Sequence, residues 1–144
     1  NLQIYANHAV GYVSRQQVGK KSEWIDMWKV YVPEAIGSGD SKTDWVNPIV
    51  GEPGTLCTET YLVLGPCETK EEAEHIAAYT QTKFFHFMLG LKKITQHTTS
   101  KVYEFVPQQD YSQAWTDQML YSKYELTAEE IAFIEASVRP AAEE

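Results

Sequence analysis

Cysteine is scarce in this chain, with two among 144 residues. Cys57 and Cys67 bracket CTETYLVLGPC, which reads as one long strand over about 58–66, so the thiols stand at opposite ends of an extended segment and cannot meet. This excludes a disulfide scaffold. With no Cys-x-x-Cys pair and no neighbouring His, two reduced structural cysteines are expected. Long apolar runs are missing as well. No stretch approaches the 18 or so residues of a membrane span and no signal peptide opens the chain, so no membrane partner is expected and a cytoplasmic location is.

Catalytic motifs are also lacking. The sequence holds no Gly-rich phosphate loop, no GxSxG elbow, no HExxH and no Asn-Pro-Pro-Tyr. Its nearest approach to one is Glu68-Thr69-Lys70, the Glu-x-Lys form of one class of metal-dependent nucleases, at the end of a strand containing Glu59. No Pro-Asp dipeptide precedes it, and Thr69 has another use as a helix cap. A nuclease reading requires Glu59, Glu68 and Lys70 to converge in space. No catalytic role and no metal site are expected for this chain, since His86 and His97 would lie about 16 Å apart on a continuous helix.

What the chain has is a patterned centre. Thr69 is followed three residues later by Glu72, a capping box, and Glu71, Glu72 and Glu74 sit where the helix macrodipole favours negative charge. Ala73, Ala77, Phe84, Phe87, Leu91 and Ile94 recur at spacings of three and four, interrupted at Thr80, which predicts one long helix with an apolar face. Phe85, Met88 and Leu89 flank it. The remaining strip carries Lys83, His86, Gly90 and Lys93, and His97 if the helix continues. Two readings of that strip stand side by side: a solvated edge, or a ridge that faces anions, with Gly90 allowing a phosphate backbone close. Beyond it, KITQHTTSK supplies Gln96, His97, Thr98, Thr99 and Lys101 as hydrogen-bonding side chains.

The net charge is −8, and its distribution matters more than its sum. Residues 1–50 balance, 51–82 carry −5, 83–109 carry +3 and 110–144 carry −6. The one positive segment is therefore the second half of the central helix and the loop after it.

Elsewhere, Leu2–Tyr5 and Val10–Ser14 read as a hairpin through Asn7-His8. Trp24 and Trp28 are four apart and could share a helical face. KVYVPEAI over 29–36 alternates like a strand that Pro33 demotes to an edge or a bulge. GSGDSKTDWVNPIVGEPG is a long loop whose Ser38, Ser41, Lys42 and Thr43 suit phosphate or base-edge contacts. Residues 102–106 read as a strand. Two short helices follow, from about Asp117 to Tyr124 behind Thr116, and from Thr127 with a second capping box to about Val138. The second is AEEIAFIEASV, acidic and without Lys or Arg, which excludes it as a recognition helix and makes the pair a packing appendage. The length fits a single domain over 1–144 with a frayed tail at 140–144, and the start at Asn1 inside an apolar alternation suggests a piece of a longer protein. The expected class is α+β: a mostly antiparallel sheet packed by one long central helix, with a small C-terminal helical pair.

KVYVPEAIGSG, GEPGTLCTETYLVLGPCETKEEAE, TKFFHFMLGLKKITQHTTSKVYEFVP and WTDQMLYSKYELTAEEIAFIE, in this order, resemble the C-terminal part of fused bacterial type II restriction-modification proteins. There a specificity domain similar to that of TaqI-type adenine methyltransferases follows the catalytic part. The resemblance covers nearly the whole chain, which has His86 and Lys92 where that family carries Arg. It implies a target-recognition domain for duplex DNA whose partner is the N-terminal catalytic part of the same protein; S-adenosylmethionine and Mg belong to that part, with no cofactor here. Lys83, His86, Lys93 and Lys101 are then the candidates for phosphates, Gln96, His97 and Thr98 for base edges, and Arg15, Lys21 and Lys42 for outlying contacts. The alternative is a protein-interaction or scaffolding lobe for a catalytic subunit, which exposed apolar surface near the N-terminus would favour.

Overall fold

The computed structural model describes residues 2–6, 9–19, 22–33, 46–91 and 106–138. The class is α+β, as expected. Strands β1 (Leu2–Ala6) and β2 (Ala9–Val13) form the predicted hairpin, with Ile4 opposite Gly11. Strand β3 (Trp28–Pro33) is the centre of a second sheet, flanked by β4 (Ile49–Gly51) and β6 (Tyr61–Cys67), both antiparallel to it. Between these, β5 (Thr55–Cys57) joins β1 in parallel.

The single sheet is thus two three-stranded sheets, ordered β2-β1-β5 and β4-β3-β6, one of which holds a parallel pair. The chain crosses three times between them, from β2 to β3, from β4 to β5 and from β5 to β6. It leaves β4 through Glu52-Pro53-Gly54, where Gly54 adopts φ +90°, a conformation that a side chain would strain. It returns through a turn closed by Tyr61 N donating to Thr58 O at 3.1 Å, so the strand expected at 58–66 begins only at Tyr61, and β5 has ended at Cys57 before the turn. β3 is central where Pro33 argued for an edge. Pro33 is its last residue, so the missing N–H falls at the end of the ladder and costs nothing inside it. Trp24 and Trp28 share no helix. Trp24 lies in a 3-10 turn (Ser22–Asp26), closed by Met27 N to Trp24 O at 3.1 Å, and Trp28 opens β3. Both cysteines are free. Of the strand expected at 102–106, residues 102–105 lie outside the described residues.

The long helix is also two. Helix α1 runs Lys70–Tyr79 and α2 runs Lys83–Gly90. Thr80 Oγ1 donates to Ala77 O at 2.6 Å and Thr82 Oγ1 to Tyr79 O at 2.8 Å, while Gln81 N and Thr82 N bond three residues back rather than four. Local hydroxyl bonds of this kind compete with helical ones. Thr82 then takes an extended conformation (φ −81°, ψ 152°) and accepts from Phe85 N at 3.1 Å as the cap of a new helix. A second cap comes from outside. Asp117, the first residue of α3 (Asp117–Lys123), accepts from Lys83 N at 3.1 Å and Phe84 N at 2.8 Å, where the α2 dipole welcomes negative charge.

Breaking the helix resets which face is buried. On α2 the buried residues are Phe84, Phe85, His86 and Leu89, and Leu91, placed by the periodicity on the core face, is 55% exposed. Helices α3 and α4 (Ala128–Ser137, with the Thr127/Glu130 capping box formed) pack on α2 as the expected appendage, with Phe84 stacked on Tyr124 at 5.3 Å and Phe87 edge-on to Phe133 at 5.8 Å. The box at Thr69 is half formed: its hydroxyl accepts from Glu72 N at 3.2 Å but donates to the Glu72 carboxylate. Helix α1 covers the second sheet, so Val30, Val32, Ala73, Ile76 and Tyr79 meet α2 and Leu120 in one core.

Gly51 sits where this packing is tightest, since a Cβ there would stand 2.5 Å from the Tyr31 ring, which is 1% exposed. Replacing Gly51 by Ala is expected to lower stability by about 1–3 kcal/mol through overpacking, read as a lower urea midpoint at unchanged slope.

Candidate nucleic-acid interface

Of the ten candidate contacts, three fall within the described residues. Lys21, Lys42, Lys93, Gln96, His97, Thr98 and Lys101 lie outside them. The three that are placed do not come together as one surface.

Lys83 emerges from the first turn of α2 toward α4, and its Nζ meets Glu135 Oε1 at 2.6 Å. Glu135 Oε2 accepts from Tyr121 on α3 at 2.7 Å, so three helices are tied at one carboxylate. The Lys83 hydrogen bond, then that from Tyr121, holds the Glu135 carboxyl below the usual carboxylate range. The sequence showed Lys83 as part of a basic strip; the fold gives it an acidic partner 52 residues away. Its side chain is 24% exposed, so a phosphate would have to displace Glu135.

His86 is 4% exposed, on the face of α2 that the Thr80–Thr82 break turned inward. It is a core side chain and reaches no phosphate, which corrects its assignment. Arg15 forms a two-pronged pair with Asp26, 2.8 Å and 3.2 Å, with both side chains more than half exposed. The pair favours the charged form of each partner, but an exposed pair is worth little and can be exchanged for another anion. Arg15 therefore remains chemically able to take a phosphate.

The buried lysine is one that the sequence reading did not single out. Lys29, in β3 and 2% exposed, donates from Nζ to the carbonyls of Trp24 (3.1 Å), Ile25 (3.0 Å), Met27 (2.9 Å) and Glu52 (3.4 Å). Burial lowers its ammonium to about 8. A lysine opening an apolar strand is a weak signal, because these carbonyls come from the turn before it and from a loop 23 residues on.

The described framework holds fourteen Asp/Glu against five Lys/Arg, a balance of −9, and the remaining residues supply +1 of the chain's −8. Four of those five cations, Arg15, Lys29, Lys83 and Lys123, have the partners above or, for Lys123, the Gln109 amide oxygen at 2.6 Å. The Glu59, Glu68 and Lys70 constellation does not form. Glu59 and Glu68 flank opposite ends of β6, whose seven residues span roughly 20 Å. Among the described residues no group of His, Cys, Asp and Glu is placed to hold a metal, and no helix is long and apolar enough to cross a membrane.

Glu135 binds fewer protons in the folded chain than in the unfolded one as pH falls through the carboxylate range, so its contribution to stability is present above its ordinary value near 4.5 and lost below it. Glu135→Gln is therefore expected to destabilise at pH 7 by about 0.5–1 kcal/mol, since solvent screens a partly exposed pair, and by much less at pH 3, measured as urea midpoints at the two pH values. An equal loss at both would assign Glu135 a packing role only. No family model, curated protein or solved structure matches this chain.

Proposed function

We propose that this chain is a DNA target-recognition lobe of a cytoplasmic restriction-modification protein, working beside a catalytic part that binds S-adenosylmethionine and Mg. The ordered resemblance of its segments to that family supports the reading. The observation that carries it is the separation of charge: the framework is strongly acidic with four of its five cations engaged, whereas Lys92, Lys93 and Lys101 fall within the eleven residues after α2, together with Gln96, His97 and Thr98. Phosphate contacts are assigned to those three lysines and base-edge contacts to Gln96, His97 and Thr98, with Arg15, Lys21 and Lys42 as outlying contacts. Lys83 and His86 are not part of this interface.

One observation favours the second reading, a lobe that binds protein. Val10 and Tyr12, two apart on β2 and so on one face of the hairpin, are 52% and 69% exposed.

The two readings separate in a salt series of fluorescence anisotropy with random-sequence duplex DNA. DNA recognition predicts that Lys92, Lys93 and Lys101 changed together to Ala reduce the slope of log K against log salt by about 2–3, while Lys83→Ala leaves it unchanged. Loss of slope in Lys83→Ala, or no effect of the triple change, overturns the assignment. Absence of binding at low salt favours the protein-binding reading.

A further inference from the structure

Strand β2 is an edge that no described strand covers. The order in its sheet is β2-β1-β5, so one side of β2 is bonded to β1 and the other is open. Which groups stand on the open side follows from the register. Thr58 N, just past β5, donates to Tyr5 O at 2.9 Å, so the polar groups of Tyr5 face β5 and turn away from β2. These directions alternate along a strand, so Leu2, Ile4 and Ala6 bond to β2, and Val13, Gly11 and Ala9 opposite them bond to β1. Val10 and Tyr12 therefore turn their N–H and C=O groups to the open edge.

The same two residues are 52% and 69% exposed. Val10 lies opposite Tyr5, whose ring is 5.5 Å from Tyr31, so both side chains stand on the face turned toward the second sheet, beyond its cover. Charge, proline or a bulge commonly guards such an edge. β2 is AVGYV, and its ladder with β1 runs without a register shift, so it has none of the three.

Charge selects what can cover it. Residues 1–14 are the longest stretch of the sequence without Asp, Glu, Lys or Arg, in a chain of net charge −8. A charged segment gains no ion pair here, whereas two copies, which repel each other over an acidic surface, can meet at this neutral strip. The strip is also self-complementary. A two-fold axis centred on Gly11 sets Val10 of each copy against Tyr12 of the other, and of the antiparallel registers it alone pairs both residues, in four hydrogen bonds. Each Val10 side chain then lies beside a Tyr12 ring, a β-branched and aromatic pair of the kind that stabilises sheets. Gly11 meets its own copy at the axis, in the close non-hydrogen-bonded position with Cα atoms about 4.5 Å apart, where it brings no side chain to clash.

We propose that β2 pairs antiparallel with β2 of a second copy of this chain, joining the two first sheets into one sheet of six strands. One strand edge and two side chains per copy fall short of the roughly 1,000 Å² of a stable interface, so the dimer is weak, with a Kd on the order of 100 µM. The pairing uses none of the residues assigned to DNA, so each can fail without the other.

Sedimentation equilibrium of the whole chain between about 10 µM and 1 mM is expected to show monomer passing into dimer. Amide hydrogen exchange over the same range is expected to slow at Val10 and Tyr12 and to stay unchanged at Gly11, whose N–H is already bonded to β1. Val10→Lys with Tyr12→Lys sets like charges opposite one another and is expected to weaken association at least about ten-fold. Val10→Lys with Tyr12→Glu sets opposite charges across the same register and is expected to associate more tightly than the double-lysine form. Leu91→Lys, at another exposed apolar side chain, is expected to leave the dimer unchanged. A monomer throughout, exchange at Val10 and Tyr12 independent of concentration, no difference between the two charged forms, a dimer that the double-lysine change leaves intact, or one that Leu91→Lys weakens to the same degree overturns the proposal.

Discussion

The ammonium of Lys29 holds the place on which the two sheets depend. The chain crosses from β4 in one sheet to β5 in the other through Glu52-Pro53-Gly54, and a crossing of this kind leaves backbone carbonyls pointing into the interior. Lys29 takes one of them, Glu52 O, with three from the turn that leads into its own strand. Its three hydrogens serve four acceptors, so at least one bond is shared. Around this point Gly54 N donates to Ile25 O at 2.8 Å, Thr55 Oγ1 donates to Glu52 O at 2.6 Å, and Tyr31 OH meets Thr55 Oγ1 at 3.0 Å. Removing the ammonium would take a donor from all four carbonyls, and the loss falls on Met27 O above all, because Trp24 O, Ile25 O and Glu52 O keep Met27 N, Gly54 N and the Thr55 hydroxyl. The same desolvation that makes the group costly to bury draws its pKa down, leaving it protonated at neutral pH.

A second constraint links helices rather than sheets. Because α1 ends at Tyr79, α2 needs its own start, and the donors exposed there are met by Thr82 from within and Asp117 from α3. The C-terminal pair is thereby fixed to the core through charge as well as through Phe84, Tyr124, Phe87 and Phe133. Glu135 then reaches Lys83 across the same contact. Lys83 and Glu135, distant in sequence, neutralise each other locally.

Much of the local structure was legible because its signals are local. The N-terminal hairpin, the Thr127 capping box, the caps at Thr69 and Thr116 and the α+β class follow from alternation, helical spacing and cap residues a few positions apart. The helix break was present in the sequence as Thr80 and Thr82, but propensity alone favours a continuous helix through ordinary residues, and the decisive bonds run back to Ala77 and Tyr79. The division into two sheets was not legible, since alternation says which face a strand buries and nothing about its neighbours. At the candidate site the failures were tertiary. Lys83 and His86 share a strip on an ideal helix, yet one is held by Glu135 and the other turned into the core. A helical wheel can place residues on one face, while the partners that remove them from solvent come from elements far along the chain.

These internal pairings bear on how an acidic lobe could serve DNA recognition. If a phosphate captured Lys83, Glu135 would be left without its cation beside a second anion, so the exchange gains little and the pair stays closed. A framework at −9 repels the duplex at every sequence alike and lowers non-specific affinity. For a lobe tethered to a catalytic part that supplies the phosphate contacts, this is an advantage: discrimination is the difference between specific and non-specific binding, and lowering the second widens it without any new base contact. On that view the charge of −8 is compatible with DNA recognition, provided that the lysines after α2 make only the few contacts needed to fix register and leave selection to Gln96, His97 and Thr98.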